Sequence, residues 1–124
     1  MSSIEKALLI NNLDKKTAES LLAKGADIDA RDDQRRSALF YVRNKETAEF
    51  LIEKGIETSV IAEDGRTALH VAVENSNFEL VELFISNGIG INVRDMDGKS
   101  ALDIANEKGY TVIADYLKQN GFDS

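Results

Sequence analysis

His70 is the only histidine in the chain, and it follows Thr67 and Asp64 in the stretch DGRTALHVA, residues 64–72. A hydroxyl, an imidazole and a carboxylate close together are the parts of a nucleophilic triad, in which the base activates the hydroxyl and the acid orients the base. Three other constellations invite a chemical reading. Asp32 and Asp33 are adjacent carboxylates of the kind that serve acid–base work. Asp95, Asp97 and Gly98 stand in calcium-loop register, and Gly88 with Gly90 opens like a dinucleotide-binding glycine motif.

Each of these weakens when its neighbours are read. The calcium register puts Val93 at the first ligand position and Ile104 at the closing glutamate, and neither side chain offers an oxygen. Val93 also takes the place of the third glycine in GIGINV, and no strand precedes it. Asp32 and Asp33 sit in a polar turn, where solvated acids are ordinary. The chain has no cysteine, so a nucleophile would have to be a hydroxyl, and no residues mark an oxyanion pocket for it. The sequence therefore predicts no catalytic residue, no metal ligand and no cofactor.

Periodicity gives the stronger reading. DGRTALHVA at 64 returns as DGKSALDIA at 97, a displacement of 33 residues, and FELVELFISNG at 78 returns as TVIADYLKQNG at 111. Gly25, Gly55, Gly88 and Gly121 close four related segments, and Ser37, Thr67 and Ser100 follow the first three at one fixed interval. Repetition on this scale marks stacked supersecondary units. Hydroxyls at 37, 67 and 100 predict N-caps for short helices over 37–43, 67–75 and 100–108. Second helices are predicted over 15–24, 45–54, 78–87 and 111–119, where apolar residues such as Leu80, Val81, Phe84 and Ile85 recur at helical spacing. Each ends at its glycine in the left-handed conformation. The links 25–36, 55–66 and 88–99 are polar, and two carry Asp-Gly turn pairs. One such helix pair cannot bury its own apolar face, whereas four stacked pairs can.

The ends differ from the middle. Ser20 replaces the Phe50, Leu83 and Tyr116 of later units, and Lys118 replaces the Leu22, Ile52 and Ile85 of earlier ones. Polar substitutions at the two ends predict capping units with solvated outer faces, and a chain complete at both. At position 70 the other units have Phe40 and Asp103, so imidazole chemistry is not what the unit maintains.

These residues carry a family likeness. The stretch DGRTALHVAVENSNFELVELFISNG resembles an ankyrin repeat, and GADIDARDD (25–33) resembles the loop that follows each ankyrin helix pair. The likeness implies one all-α domain over 1–124: a solenoid of stacked helix–turn–helix repeats, about 1–33, 34–63, 64–96 and 97–124, linked by finger-like β-hairpin loops. It implies a scaffold role for His70, tying its helix start to the neighbouring loop. Departures from the pattern stand out. Alanine occupies the usual proline at 38, 68 and 101, Arg35 replaces the turn glycine, and unit two lacks three residues near YVRNKE. Unit one has Lys6 near the usual leucine.

The resemblance also implies a partner-binding surface of finger tips and first helices. Its finger positions are Arg31, Asp33, Gln34, Arg36, Ile61, Glu63, Asp64, Arg66, Arg94, Met96, Asp97 and Lys99, and its first-helix positions are Tyr41, Asn44, Val71, Glu74, Asn75, Ile104, Glu107 and Lys108. All six arginines fall in fingers or first helices. They either face a partner, with Tyr41, Ile61 and Met96 as apolar anchors, or pair with Asp32, Asp33, Asp64 and Asp95 to stiffen the turns.

The expected function is a non-enzymatic protein-binding module, acting as an inhibitor or immunity-type protein or as an adaptor, with a regulatory or structural subunit of a larger assembly as the alternative. A formal charge of −7 excludes the clustered cations that nucleic-acid binding needs. It either steers a basic partner or only keeps the protein soluble. No apolar run is long enough for a bilayer, and MSSIEKALLINNLDKK lacks the basic leader and apolar core of a signal peptide. The expectation is a cytoplasmic protein, monomeric until bound.

Overall fold

The computed structural model describes residues 2–121 of the chain. The last residues of the predicted fourth unit, 122–124, lie outside the described residues. Helices come in successive pairs. The first is α1 (Ser3–Leu8) with α2 (Lys15–Ala23), followed by a single 3₁₀ turn (Ala38–Phe40) with α3 (Lys45–Glu53). Then come α4 (Ala68–Glu74) with α5 (Phe78–Ser86), and α6 (Ala101–Lys108) with α7 (Thr111–Gln119). None of the described helices is long and apolar enough to cross a membrane.

Side-chain caps set where the helices begin. Thr67 and Ser100 accept the backbone N–H of His70 and Asp103, and those side chains reach back to the N–H of the cap residue. This reciprocal box satisfies donors at both ends of the first turn. The second helices use a different device: Asp14, Asn44 and Asn77 cap α2, α3 and α5 by accepting from Thr17, Thr47 and Leu80. At the other end, Gly55 takes φ +91° and donates to Ile52, while Ile56 donates to Leu51. The same pair of bonds recurs after α2 and α5, a left-handed closure that suits glycine.

Unit two departs from the expected helix over 37–43. Only one 3₁₀ turn forms there, because Ser37 makes no side-chain cap bond and Phe40 stands where His70 and Asp103 complete their boxes. The three missing residues leave the chain too short for a full first helix before Asn44 starts α3. The expected β-hairpins are also replaced. Among the described residues no strand forms; each finger is a tight turn closed by two backbone bonds, one from Asp32, Ala62 or Asp95 to the carbonyl of Arg36, Arg66 or Lys99, the other from Arg35, Gly65 or Gly98 back to the carbonyl of Asp32, Ala62 or Asp95.

One continuous core threads the units. Leu8, Leu13, Phe40, Leu51, Leu69, Leu80, Phe84, Leu102 and Leu117 are all buried in it. α4 packs on α5, on α6 and on the 3₁₀ turn, while α2, α3 and α5 form a row of second helices. The Phe78 and Tyr116 rings meet edge to face, 5.2 Å apart, between α5 and α7. Leu69 is fully buried on α4, which packs on the units to both sides. Leu69→Ala should cost about 2–5 kcal/mol in urea unfolding through the cavity it leaves. Val112→Ala, at a 71% exposed position, should change the midpoint by no more than about 0.5 kcal/mol.

Candidate partner-binding surface

The imidazole of His70 is buried, and both of its nitrogens are engaged within the scaffold. Nδ1 accepts from the Thr67 backbone N–H at 3.1 Å, which leaves the Nε2 hydrogen to donate to the Lys99 carbonyl of the next finger at 3.0 Å. Burial pulls its pKa below the usual histidine value, and the bond to the Lys99 carbonyl only partly opposes this. Thr67 spends its hydroxyl as a helix cap. Asp64 pairs with Arg36 at 3.2 Å. The three groups that resembled a triad thus hold three different joints of the fold.

Along each finger the side chains alternate between inside and outside. Asp32, Ala62 and Asp95 turn inward, flanked by the more exposed pairs Arg31 and Asp33, Ile61 and Glu63, Arg94 and Met96. Asp95 is the organising group of the third finger. Its Oδ1 accepts from the N–H groups of Asp97 and Lys99, both at 2.9 Å, and its Oδ2 accepts from Arg66 of the preceding finger at 3.3 Å. Burial alone would raise this carboxyl, but the two backbone donors and the guanidinium outweigh it and hold it below the usual aspartate range. Asp32 repeats the arrangement with Gln34 and Arg36 and also accepts the Tyr41 hydroxyl. Burial, with Asp32 beside it, pushes Tyr41 up to about 12.

Backbone bonds stitch finger to finger. Glu63 donates to the Gln34 carbonyl at 2.8 Å, and Met96 to the Asp64 carbonyl at 2.9 Å. Gly65 makes this approach possible: a Cβ there would stand 3.0 Å from the Met96 amide nitrogen and 3.1 Å from Asp95 backbone carbons. An open cleft of about 360 Å³ remains between the first two fingers, lined by Gln34, Arg36, Glu63 and Asp64.

The predicted surface divides on this geometry. Exposed and outward are Arg31, Asp33, Gln34, Ile61, Glu63, Asp64, Arg94, Met96 and Asp97 on the fingers. Glu74, Asn75, Glu107 and Lys108 are exposed at the ends of α4 and α6. Arg36, Tyr41, Arg66 and Lys99 are half-buried and internally bonded: Arg66 to Glu74 and Asp95, Lys99 to Glu107. Three positions need correction. Val71 and Ile104 lie in the core, 9% and 3% exposed, because the first helices turn those faces onto their neighbours. Asn44 is the cap of α3, not part of a first helix, since unit two has no room for one.

Most of the arginines brace the fold. Arg31 pairs with Glu57, Arg36 with Asp64, and Arg94 with Asp103 and the Gly98 carbonyl, while Arg43 reaches the Phe40 and Val42 carbonyls. From the sequence, Asp32 and Asp95 are expected to stiffen the turns through arginines, but not to accept their own turns' N–H groups as well, which both do. The period-two alternation in RDMDGK, with a small or acidic residue between two exposed ones, is the signal that marks them.

Two outcomes follow. Arg66→Ala leaves the buried Asp95 without its guanidinium and should cost about 1–3 kcal/mol in chemical denaturation, whereas Arg94→Ala, on a half-exposed pair, should stay within about 0.5 kcal/mol. His70 binds its proton less readily folded than unfolded, so the unfolded state takes up more protons below about pH 6.5 and stability falls on acidification through that value. The stability gap between wild type and His70→Gln should be widest above about pH 7 and shrink toward about pH 5.5, read as urea midpoints at each pH.

No curated protein matches the chain. A family model described as ankyrin repeats, in three copies, matches residues 6–95 and again 42–124. The two matches overlap and together span nearly the whole chain, so the helix pairs, their glycine closures and the stitched fingers belong to one pattern. The chain is a member of the ankyrin-repeat family.

Proposed function

We propose that this chain, whose ankyrin repeats indicate a protein–protein interaction module, is non-enzymatic and holds a protein partner on the outward rows of its fingers, with the exposed ends of α4 and α6 beside them. The observation that carries the reading is the pair Ile61 and Met96. They are 50% and 78% exposed on adjacent fingers, while most of the cations around them are spent inside the fold. Apolar side chains left in water on an ordered surface are the usual anchors of an interface.

The charges next to them favour a particular partner. Asp33, Glu63 and Asp97 make no ion pair among the described residues. A segment presenting a cation beside an apolar side chain would match both features, with the acids adding to association rate and specificity. The fingers are already ordered by their stitches, so little backbone freedom is lost on binding. The protein acts by occupying its partner's surface, and its small size and acidity favour an inhibitor or immunity-type role over an adaptor. It is taken to be a cytoplasmic monomer when free, a reading supported by the exposed polar residues Ser20 and Lys118 on the end units.

The test is recovery of partners by the tagged protein from its own host's lysate, beside the double variant Ile61→Arg with Met96→Arg. Both positions are exposed, so the variant should keep the wild-type melting curve. A stoichiometric partner held by wild type and lost by the variant is the expected result, and recovery equal in both would place the interface elsewhere. The partner's own activity in the complex then separates an inhibitor from an adaptor. Glu63→Gln with Asp97→Asn should weaken the same complex, and added salt should weaken it further through screening.

A further inference from the structure

Unit two carries several departures from its neighbours that weaken it. Its first helix is one 3₁₀ turn where α4 and α6 have 7 and 8 residues. Arg35 is forced to φ +63° at the turn where Gly65 and Gly98 stand, a conformation that costs a side-chain-bearing residue about 1–2 kcal/mol. Ser37 Oγ and Arg36 Nε are buried without a hydrogen-bond partner, whereas Thr67 and Ser100, at the position of Ser37, complete capping boxes. Phe40 cannot donate to the next finger as His70 does to Lys99.

The joints on the two sides of unit three differ in kind as well. Unit two meets unit three through the Arg36–Asp64 pair, whose carboxylate is half-exposed, and through the bond from Asn77 Nδ2 to the Arg43 carbonyl. Units three and four share the bond from the buried His70 to the Lys99 carbonyl, beside the Arg66–Asp95 pair, whose carboxylate is 2% exposed. In a solenoid each unit leans only on its neighbours, so unit one has no support except through unit two.

We infer that the solenoid has a built-in fracture line. Units one and two open together, as one cooperative segment, while units three and four stay folded. The opening uncovers the apolar edge of α4 and α5, and a partner that bridges the first and second fingers suppresses it. Local opening of this kind falls below the global unfolding free energy, and it makes binding and folding of the N-terminal half one coupled equilibrium.

Native-state hydrogen exchange on the full chain tests this. Amides of α2 and α3 should exchange at least tenfold faster than those of α4, α5 and α6, and low urea should accelerate them together with one shared slope, unlike fraying from an end. Arg35→Gly relieves the left-handed strain and should slow α2 and α3 by roughly threefold while leaving α4 to α6 unchanged. Equal exchange in the two halves overturns the inference. So does an Arg35→Gly variant that slows both halves alike, or neither.

Discussion

A helix of seven to nine residues is too short to persist alone in water, and a pair of them leaves an apolar flank uncovered. Stacking is therefore the constraint on which everything else in this molecule depends. Leu69, Leu102 and Phe40 are buried because units sit beside one another, not because any unit folds inward on itself. The hydroxyl caps and the glycine closures serve the same end. They stop each helix at a length that returns the chain to its neighbour in register.

The fingers show how polar groups take part in that register. Asp95 gathers two N–H groups of its own turn and one guanidinium of the turn before it, so a single carboxylate shapes one finger and ties it to another. His70 does the comparable job one layer below, between its own helix start and the next finger. Both are buried, and both would be costly to leave half-satisfied. Ile61, Met96, Asp33, Glu63 and Asp97 face water without an ion pair among the described residues, and recognition is assigned to them.

Much of this was legible in the chain. The 33-residue displacement and the hydroxyl and glycine positions announced the units, and the ends of α2, α3, α5 and α7 fall within a residue or so of the reading. Unit two was misread because Ser37 looks like Thr67 in sequence, whereas the shorter stretch before Asn44 leaves room for only one turn. Val71 and Ile104 were misplaced because a first helix packs on units to both sides, which buries positions that one-sided periodicity would leave outside. The bracing arginines could not be told from binding arginines by type alone. Their partners, Asp64 on one finger and Asp95 on the next, lie about thirty residues away, in contact only through the stack.

The close approach at Gly65 has a consequence for the outer surface. With no Cβ between the second finger and the Asp95–Met96 backbone, the distance between these fingers is set by main-chain contact and does not depend on the side chains displayed above it. The display can therefore drift in chemistry while its pitch is kept, as on a ruler whose marks are repainted but never moved. Molecules that dock here would be selected by the spacing of their anchors before the identity of those anchors matters. Gain or loss of a unit would change the reach of the surface in whole steps of that pitch.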